Sequence, residues 1–321
     1  MQKKRPSSQS ETDPTESIYE GRGQSGGQSG GKSRGGSTKA RRFSTSVTAG
    51  LCGLAIGASI IGFGFLSGPK GTAAERVGEG PAVVELFTSQ GCYSCPPAEK
   101  LLGKLIKENP DVVALEFHVD YWDSLVYGKH GSYKDPFSDK ENTYRQRLYN
   151  LVDLEGQRGV FTPQMVINGR YATVGSRGSS VRKGIEVLDR PMVDLSVAHD
   201  PASDTDTGAT GLRIELAGEH TQVPDSAHLW IAVFDIEKTT EIPSGENHDK
   251  TLTSHHIVRQ FSQLTPEDGF AQLVSADNTL ELNHQVELKE GQGCAVLLQE
   301  VTLGPIYGAA YCPDALWRPA A

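Results

Sequence analysis

Apolar residues change their spacing along the chain, and the changes divide it. Residues 1–46 hold almost no aliphatic side chains and run to stretches such as Gly26-Gly27-Gln28-Ser29-Gly30-Gly31. Such a segment has too little apolar surface to offset the entropy of ordering, so a disordered tail is expected. From about Val47 to Leu66 the chain is apolar or small and free of charge, with Leu54, Ile56, Ile60, Ile61, Phe63 and Phe65. A linker over 69–80 follows. Beyond it the pattern becomes that of a folded protein. Pro81 to Ser89 reads as a strand. Pro96 to Asn109 reads as a helix, because Leu101, Leu102, Leu105 and Ile106 recur on one face. Val112 to Tyr121 is a second, mostly apolar strand, as a buried parallel strand would be. A long polar loop leads to Ser138, which with Glu141 makes a capping box for a helix running to about Leu154. Gln164 to Asn168 and Tyr171 to Val174 are short strands about an Asn168-Gly169 turn, and Ser179 to Leu188 is a helix.

The texture changes at Pro191. Six to eight strand-like runs follow: Val193–Ala198, Leu212–Leu216, Ala227–Asp235, His255–Gln263, Phe270–Val274, His284–Leu288, Cys294–Val301 and Ile306–Tyr311. Turn residues separate them and no long helical period appears, so an antiparallel sandwich is expected over 191–321. The expected fold class is an α/β domain over 81–190 followed by an all-β sandwich-like domain.

Charge sharpens this division. Residues 1–47 carry nine Lys and Arg against four Asp and Glu. The whole chain is at −9, so the remainder is strongly acidic and nucleic acid is a poor partner for it. Lys39, Arg41 and Arg42 precede the apolar stretch. About twenty such residues can span a bilayer, with the basic side kept in the cytoplasm. Residues 47–68 are therefore expected to be a signal anchor, or a long signal peptide cut near Thr72-Ala73-Ala74. Either places the folded part outside the cytoplasm, in a periplasmic or extracytoplasmic setting where cysteines pair.

The chemistry concentrates at Cys92 and Cys95. A strand, a Gly-containing turn, C-x-x-C and a helix opening on Pro96-Pro97 follow one another, which is the layout of a thioredoxin-like redox site. A thiolate at a helix N-terminus is stabilised and nucleophilic. Cys92 is the expected exposed nucleophile and Cys95 the resolving thiol, with Tyr93 and Ser94 between them. A structural disulfide, or half of a metal site, is the competing reading. No zinc site is expected, since Cys294 and Cys312 lie far away in the sequence. Those two flank a hairpin about Thr302-Leu303-Gly304-Pro305. Cross-strand numbers there sum to 606 or 607, as 294 and 312 do, so a structural disulfide is expected against the alternative of two free thiols. Alternation sends His255 and His256 to opposite faces, which argues against a shared metal site.

The chain resembles an uncharacterised exported family, domain of unknown function 1223, within the thioredoxin-like superfamily. The residues that carry the likeness are Val83-Val84-Glu85-Leu86-Phe87-Thr88-Ser89-Gln90-Gly91-Cys92 and Cys95-Pro96-Pro97-Ala98. His118-Val119-Asp120-Tyr121-Trp122-Asp123, Thr162-Pro163-Gln164-Met165, Asn168-Gly169 and Gly245-Glu246-Asn247 extend it. It covers about 82–312. The resemblance implies a thioredoxin-like domain with a β-rich extension, and assigns no substrate. It also implies a cis Thr162-Pro163 bond lying against the cysteines. Thioredoxin-type sites use a buried acid beneath the cysteines. Glu85 is the expected one, acting as a general base if its carboxyl is raised by burial, though it could equally be an ion-paired glutamate. Tyr121 and Trp122 end the second strand and either wall the cysteine groove or pack as aromatics. The expected activity is thiol–disulfide exchange with protein thiols or disulfides, without a cofactor. The alternative is a non-catalytic binding module for a protein partner or copper.

Overall fold

The computed structural model describes residues 78–206, 208–217, 223–266 and 280–317. The tail, the apolar stretch at 47–68 and the expected strand at Phe270–Val274 lie outside the described residues. Among the described residues no helix is long and apolar enough to cross a membrane.

The fold class differs from the expected one. The molecule is mostly β, with a nine-stranded mixed sheet, a three-stranded sheet and three α-helices among the described residues, and no separate α/β domain stands apart. The elements are β1 (Ala82–Thr88), α1 (Pro96–Glu108), β2 (Val112–His118), α2 (Lys140–Tyr149), β3 (Glu155–Gly156), β4 (Gln164–Ile167), β5 (Tyr171–Val174) and α3 (Gly178–Val187). They are followed by β6 (Asp194–His199), β7 (Thr210–Ala217), β8 (Ala227–Glu241), β9 (Thr251–Gln263), β10 (Leu280–Val286), β11 (Gln292–Glu300) and β12 (Ile306–Tyr311). The large sheet runs β12-β11-β8-β9-β2-β1-β4-β5-β3, and the small one β10-β7-β6.

One junction explains the correction. β8 and β9 form a hairpin of 15- and 13-residue strands, far longer than their apolar runs. β9 meets the open edge of β2 in parallel, at Glu116 opposite Ile257. An unpaired strand edge is satisfied by another strand, and here the second half of the chain supplies it. Local pattern identifies strands and is blind to which edges will pair.

Alternation along β1 and β2 then sorts side chains onto two faces. Val83, Phe87, Val113, Leu115 and Phe117 face one core together with Tyr149 of α2, Phe234 and Leu297. Ala82, Val84, Leu86, Val112 and Ala114 face the other, against Leu102 and Leu105 of α1 and Val181 of α3. The small sheet packs on β8, β11 and β12 through Leu212, Ile214, Ile231, Val296 and Tyr307. The large sheet curls until its ends approach. Ile306 N–H donates to Asn168 O at 3.0 Å, bringing β12 to the β4–β5 turn. From Ala295–Tyr311 to Leu298–Gly308 the β11–β12 partners sum to 606, and Cys294 and Cys312 are joined by a disulfide with Cα atoms 5.2 Å apart.

The cap of α2 falls one residue later than expected. Asp139 accepts from Glu141 N–H, while the Ser138 hydroxyl donates to Asp123 at 2.7 Å. The helix ends at Tyr149, with Asn150 as its C-cap.

Glu85 is fully buried on the face of β1 turned towards α2. It accepts from Arg145 Nε at 2.7 Å and from the Tyr149 hydroxyl, and Arg145 Nη2 also reaches Gln299 at 2.8 Å. Removing one partner strands a buried charge. Arg145→Leu is expected to lower stability by about 3–5 kcal/mol in urea unfolding. Glu85→Leu with Arg145→Leu should recover most of that loss.

Candidate functional site

The head of α1 is built by local chemistry. Pro96 and Pro97 occupy its first positions, where a missing N–H costs nothing. Cys95 is the N-cap residue and carries no side-chain cap. Its carbonyl accepts from Ala98 N–H at 2.8 Å, and Cys92 N–H donates to Ser89 O at 3.0 Å. Cys92 and Cys95 are joined as a disulfide, with Cα atoms 5.5 Å apart. Cys92 is not exposed: both cysteines have 0 % of their surface accessible, while Tyr93 is 62 % exposed and Ser94 is also open to solvent. The Ser94 hydroxyl lies 3.4 Å from Cys92 Sγ.

The Thr162–Pro163 peptide is cis. A Cβ on Gly175 would meet Ala98 and Leu86 at 3.0 Å and Pro163 at 3.4 Å. Pro163 and the first turn of α1 are therefore neighbours across this glycine. Trp122 Nε1–H donates to Thr162 Oγ1 at 2.8 Å, and Trp122 also backs Gly91. Trp122 thus ties the proline turn to the cysteine loop. Tyr121 is directed elsewhere, donating to Gln146 of α2 at 3.2 Å. Glu85 belongs to the opposite face of the sheet from α1 and takes no part in this cluster.

The buried acid on the cysteine side is Glu99, in the first turn of α1 and four residues after Cys95. It is 1 % exposed, its N–H donates to Cys95 O at 3.3 Å, and its carboxyl accepts from the Thr88 hydroxyl at 2.7 Å. Burial, reinforced by the charge of Glu116, pushes its pKa from 4.5 up to about 8. Around it lies a second buried set. His118 contacts Asp135 Oδ2 at 2.7 Å through Nδ1 and Glu116 Oε1 at 2.9 Å through Nε2. Burial works against the His118 charge, but the two carboxylates outweigh it and its pKa stands well above 6.5. Asp135 is destabilised by burial yet held low by His118 and by the N–H groups of Gln90 and Phe137. Its link to Gln90 connects this set to the cysteine loop.

A distant segment completes the site. The β8–β9 turn brings Asn247 Nδ2 to Gln90 O at 2.8 Å and Cys92 O at 2.9 Å, and Glu246 Oε2 to Tyr93 N–H at 2.7 Å. Lys250 Nζ sits 4.1 Å from the centre of the Tyr93 ring. His255 and His256 go to different partners, Glu237 at 3.2 Å and Ala114 O at 3.0 Å. Cys294 and Cys312 belong to the core beneath the small sheet and do not join the cysteine site.

Sequence reasoning missed Glu99, Glu116, Asp135 and the Glu246–Asn247 contacts. For Glu99 a signal existed: it stands three and four residues before Leu102 and Gly103 on the buried face of α1. Nothing local could have placed residue 246 beside residue 93.

A family model described as "Protein of unknown function (DUF1223)" matches residues 83–299, more than half of the chain. The chain is similar to the crystal structure of protein AGR_C_4864 from Agrobacterium tumefaciens, at 28 % identity and a TM-score of 0.53. That match covers 73 % of this chain and 95 % of the other. It is similar in fold to HBP35 of Porphyromonas gingivalis at 14 % identity and a TM-score of 0.50, covering 77 % and 81 %. No curated protein matches it.

Glu99 makes stability depend on pH with a definite sign. Its folded pKa is above its ordinary value, so its contribution is full below about 4.5 and is lost as pH rises through about 8. Denaturation midpoints at pH 5 and pH 8.5 should show the wild type losing more stability than Glu99→Gln. An equal loss in both would mean that Glu99 does not carry the buried proton.

Proposed function

This chain belongs to the DUF1223 family, and we propose that it is an extracytoplasmic thiol–disulfide oxidoreductase acting on protein thiols through Cys92 and Cys95. The observation that carries the reading is a disulfide at a helix head with a buried, proton-retaining carboxyl one turn further on. A partner thiolate attacks Cys92 Sγ and the Cys92–Cys95 bond breaks. Cys95 departs as a thiolate and takes a proton, for which Glu99 is the nearest buried carrier along the helix. A second thiolate of the partner attacks its own sulfur in the mixed disulfide and releases Cys92. Two electrons pass from the partner to the pair, which oxidises the partner dithiol, and the reverse sequence reduces a partner disulfide. Thr162-Pro163 and Trp122 flank the loop on which the partner would lie.

Placement outside the cytoplasm rests on Lys39, Arg41 and Arg42 before the charge-free stretch. Two disulfides in one chain agree with it. Residues 47–68 would tether the protein to the membrane or direct its export.

One observation favours a second reading: both sulfurs are buried. On that reading the pair braces a non-catalytic binding module.

Exchange with small thiols separates the two. The pair in the full-length protein is expected to be reduced by dithiothreitol and re-formed by oxidised glutathione. Cys92→Ser should abolish the cycle, and Glu99→Gln should slow it by about a hundredfold, the lower end for a proton-transfer group. A disulfide that stays intact in the native protein, yielding only after denaturation, would leave the brace as the answer.

A further inference from the structure

The contacts from Glu246, Asn247 and Lys250 reach the cysteine loop from about 150 residues away, and the exchange chemistry so far uses none of them. Their placement is not accidental to the turn. The tip is pinned to the 128–133 loop: Gly245 N–H donates to His130 O at 2.9 Å and the Ser244 hydroxyl to Ser132 O at 2.8 Å. His130 and His248 stack with ring centres 3.4 Å apart. Gly245 has φ of +76°, and a Cβ there would meet Tyr133 at 2.8 Å, so the tip is held where only glycine fits. Tyr133 in turn donates to Gln90 Oε1 at 3.0 Å. The turn and the cysteine loop are thus fixed to one support.

Asn247 is wholly buried. Both its Nδ2 hydrogens are used on the cysteine loop, and its Oδ1 accepts from Lys250 Nζ at 2.8 Å. Glu246 puts a carboxylate on the peptide N–H next to Cys92. Its field is felt nearby: the Tyr127 hydroxyl is raised, by burial first and then by the Glu246 charge. Peptide N–H groups at the head of a helix are what stabilise a thiolate there. The Glu246 carboxylate on the Tyr93 N–H, in the turn that leads into that helix head, adds charge of the same sign as a Cys92 thiolate and takes up a donor one residue from it. Lys250 opposes it from across the Tyr93 ring. The remaining charged neighbours on the turn are His248, one-third exposed, and Asp249, which points into solvent. Glu99 lies behind, in the first turn of α1.

We propose that Glu246 and Asn247 are positioning residues of the exchange site: Asn247 holds the Cys92 main chain, and the Glu246 charge favours the disulfide over the dithiol. Reduction adds two electrons to the sulfurs and leaves Cys92 as a thiolate or, after protonation, a thiol. Glu246 penalises the thiolate, so the pair gives up electrons more readily than it would without that residue. Lys250 moderates the effect. This rests on the exchange reading above.

The test equilibrates full-length wild type, Glu246→Gln, Glu246→Ala and Lys250→Met with glutathione buffers at pH 7, with thermal melts alongside. Alkylation rate against pH then gives the Cys92 titration in the reduced proteins. Glu246→Gln keeps an acceptor for Tyr93 N–H and loses only the charge. It should shift the equilibrium towards the dithiol three- to tenfold, tenfold being about 30 mV for this two-electron couple, and lower the Cys92 pKa. Glu246→Ala should match it, and Lys250→Met should move both readouts the other way. A wild-type pair that never equilibrates with glutathione sinks the exchange reading, and this inference with it. If the wild type equilibrates and Glu246→Gln lies within twofold of it, the inference alone is overturned. A shift confined to Glu246→Ala overturns it as well, since the hydrogen bond rather than the charge would then be responsible.

Discussion

The Glu85–Arg145 ion pair is the interaction on which the rest of the structure depends. A carboxylate and a guanidinium inside a core are costly to desolvate, and their attraction offsets that cost only when the remaining donors and acceptors are also satisfied. Here they are. The Tyr149 hydroxyl takes the second carboxylate oxygen, Gln299 accepts from Arg145, and Gln299 Nε2 donates to Tyr149 and to Gly304 O. The Arg145 guanidinium also lies 4.4 Å from the centre of the Phe261 ring. β1, α2, β9 and β11 therefore meet at one polar knot, and the curl of the large sheet follows from joining them.

That knot settles which face of the sheet is structural and which is free for chemistry. Strand alternation puts Glu85 on the α2 side and Thr88 on the α1 side. Glu116 and His118, paired with Leu86 and Thr88 across β2, fall on the α1 side as well. One face thus carries a charge pair fully consumed by its partners. The other collects Glu116 with Glu99, His118 and Asp135; burial raises Glu99, the two carboxylates raise His118 against its burial, and His118 holds Asp135 low. The cysteines open the helix that covers the second face.

The closure of the cysteine loop by the β8–β9 turn depends on the same architecture. β9 pairs with β2 at a single register position, Glu116 with Ile257. Glu116 Oε2 also accepts from His255 N–H at 2.8 Å, and the His255 ring packs on Gly103 of α1. These contacts seat the hairpin against α1, and its far end then arrives at Tyr93. Fixation of the Gln90, Cys92 and Tyr93 main chain is a result of that docking.

Much was legible in the residues themselves. Pro96-Pro97 after Cys95 announces a helix start because only that position tolerates prolines. Asn168-Gly169 announces a tight turn, and Asn168 adopts φ of +51° there. Short apolar runs bounded by turn residues placed β1, β2, β11 and β12 within a few residues of their observed bounds. These are signals carried by neighbours in sequence. The class of the fold was not legible, because strand pattern says nothing about partners. The edge of β2 could have faced solvent or a helix, and only in three dimensions does β9 cover it and merge the two halves. The acid of the cysteine site failed for a related reason. Glu85 and Glu99 are both carboxyls near the motif, and sequence distance favours neither. Which one lies beneath the cysteines is decided by which side of β1 the helix packs on. Glu246 and Asn247 lie further still from the motif, since no local rule links positions 150 residues apart. Tertiary structure alone brought them to the disulfide, because the length and docking of one hairpin set where its tip would fall.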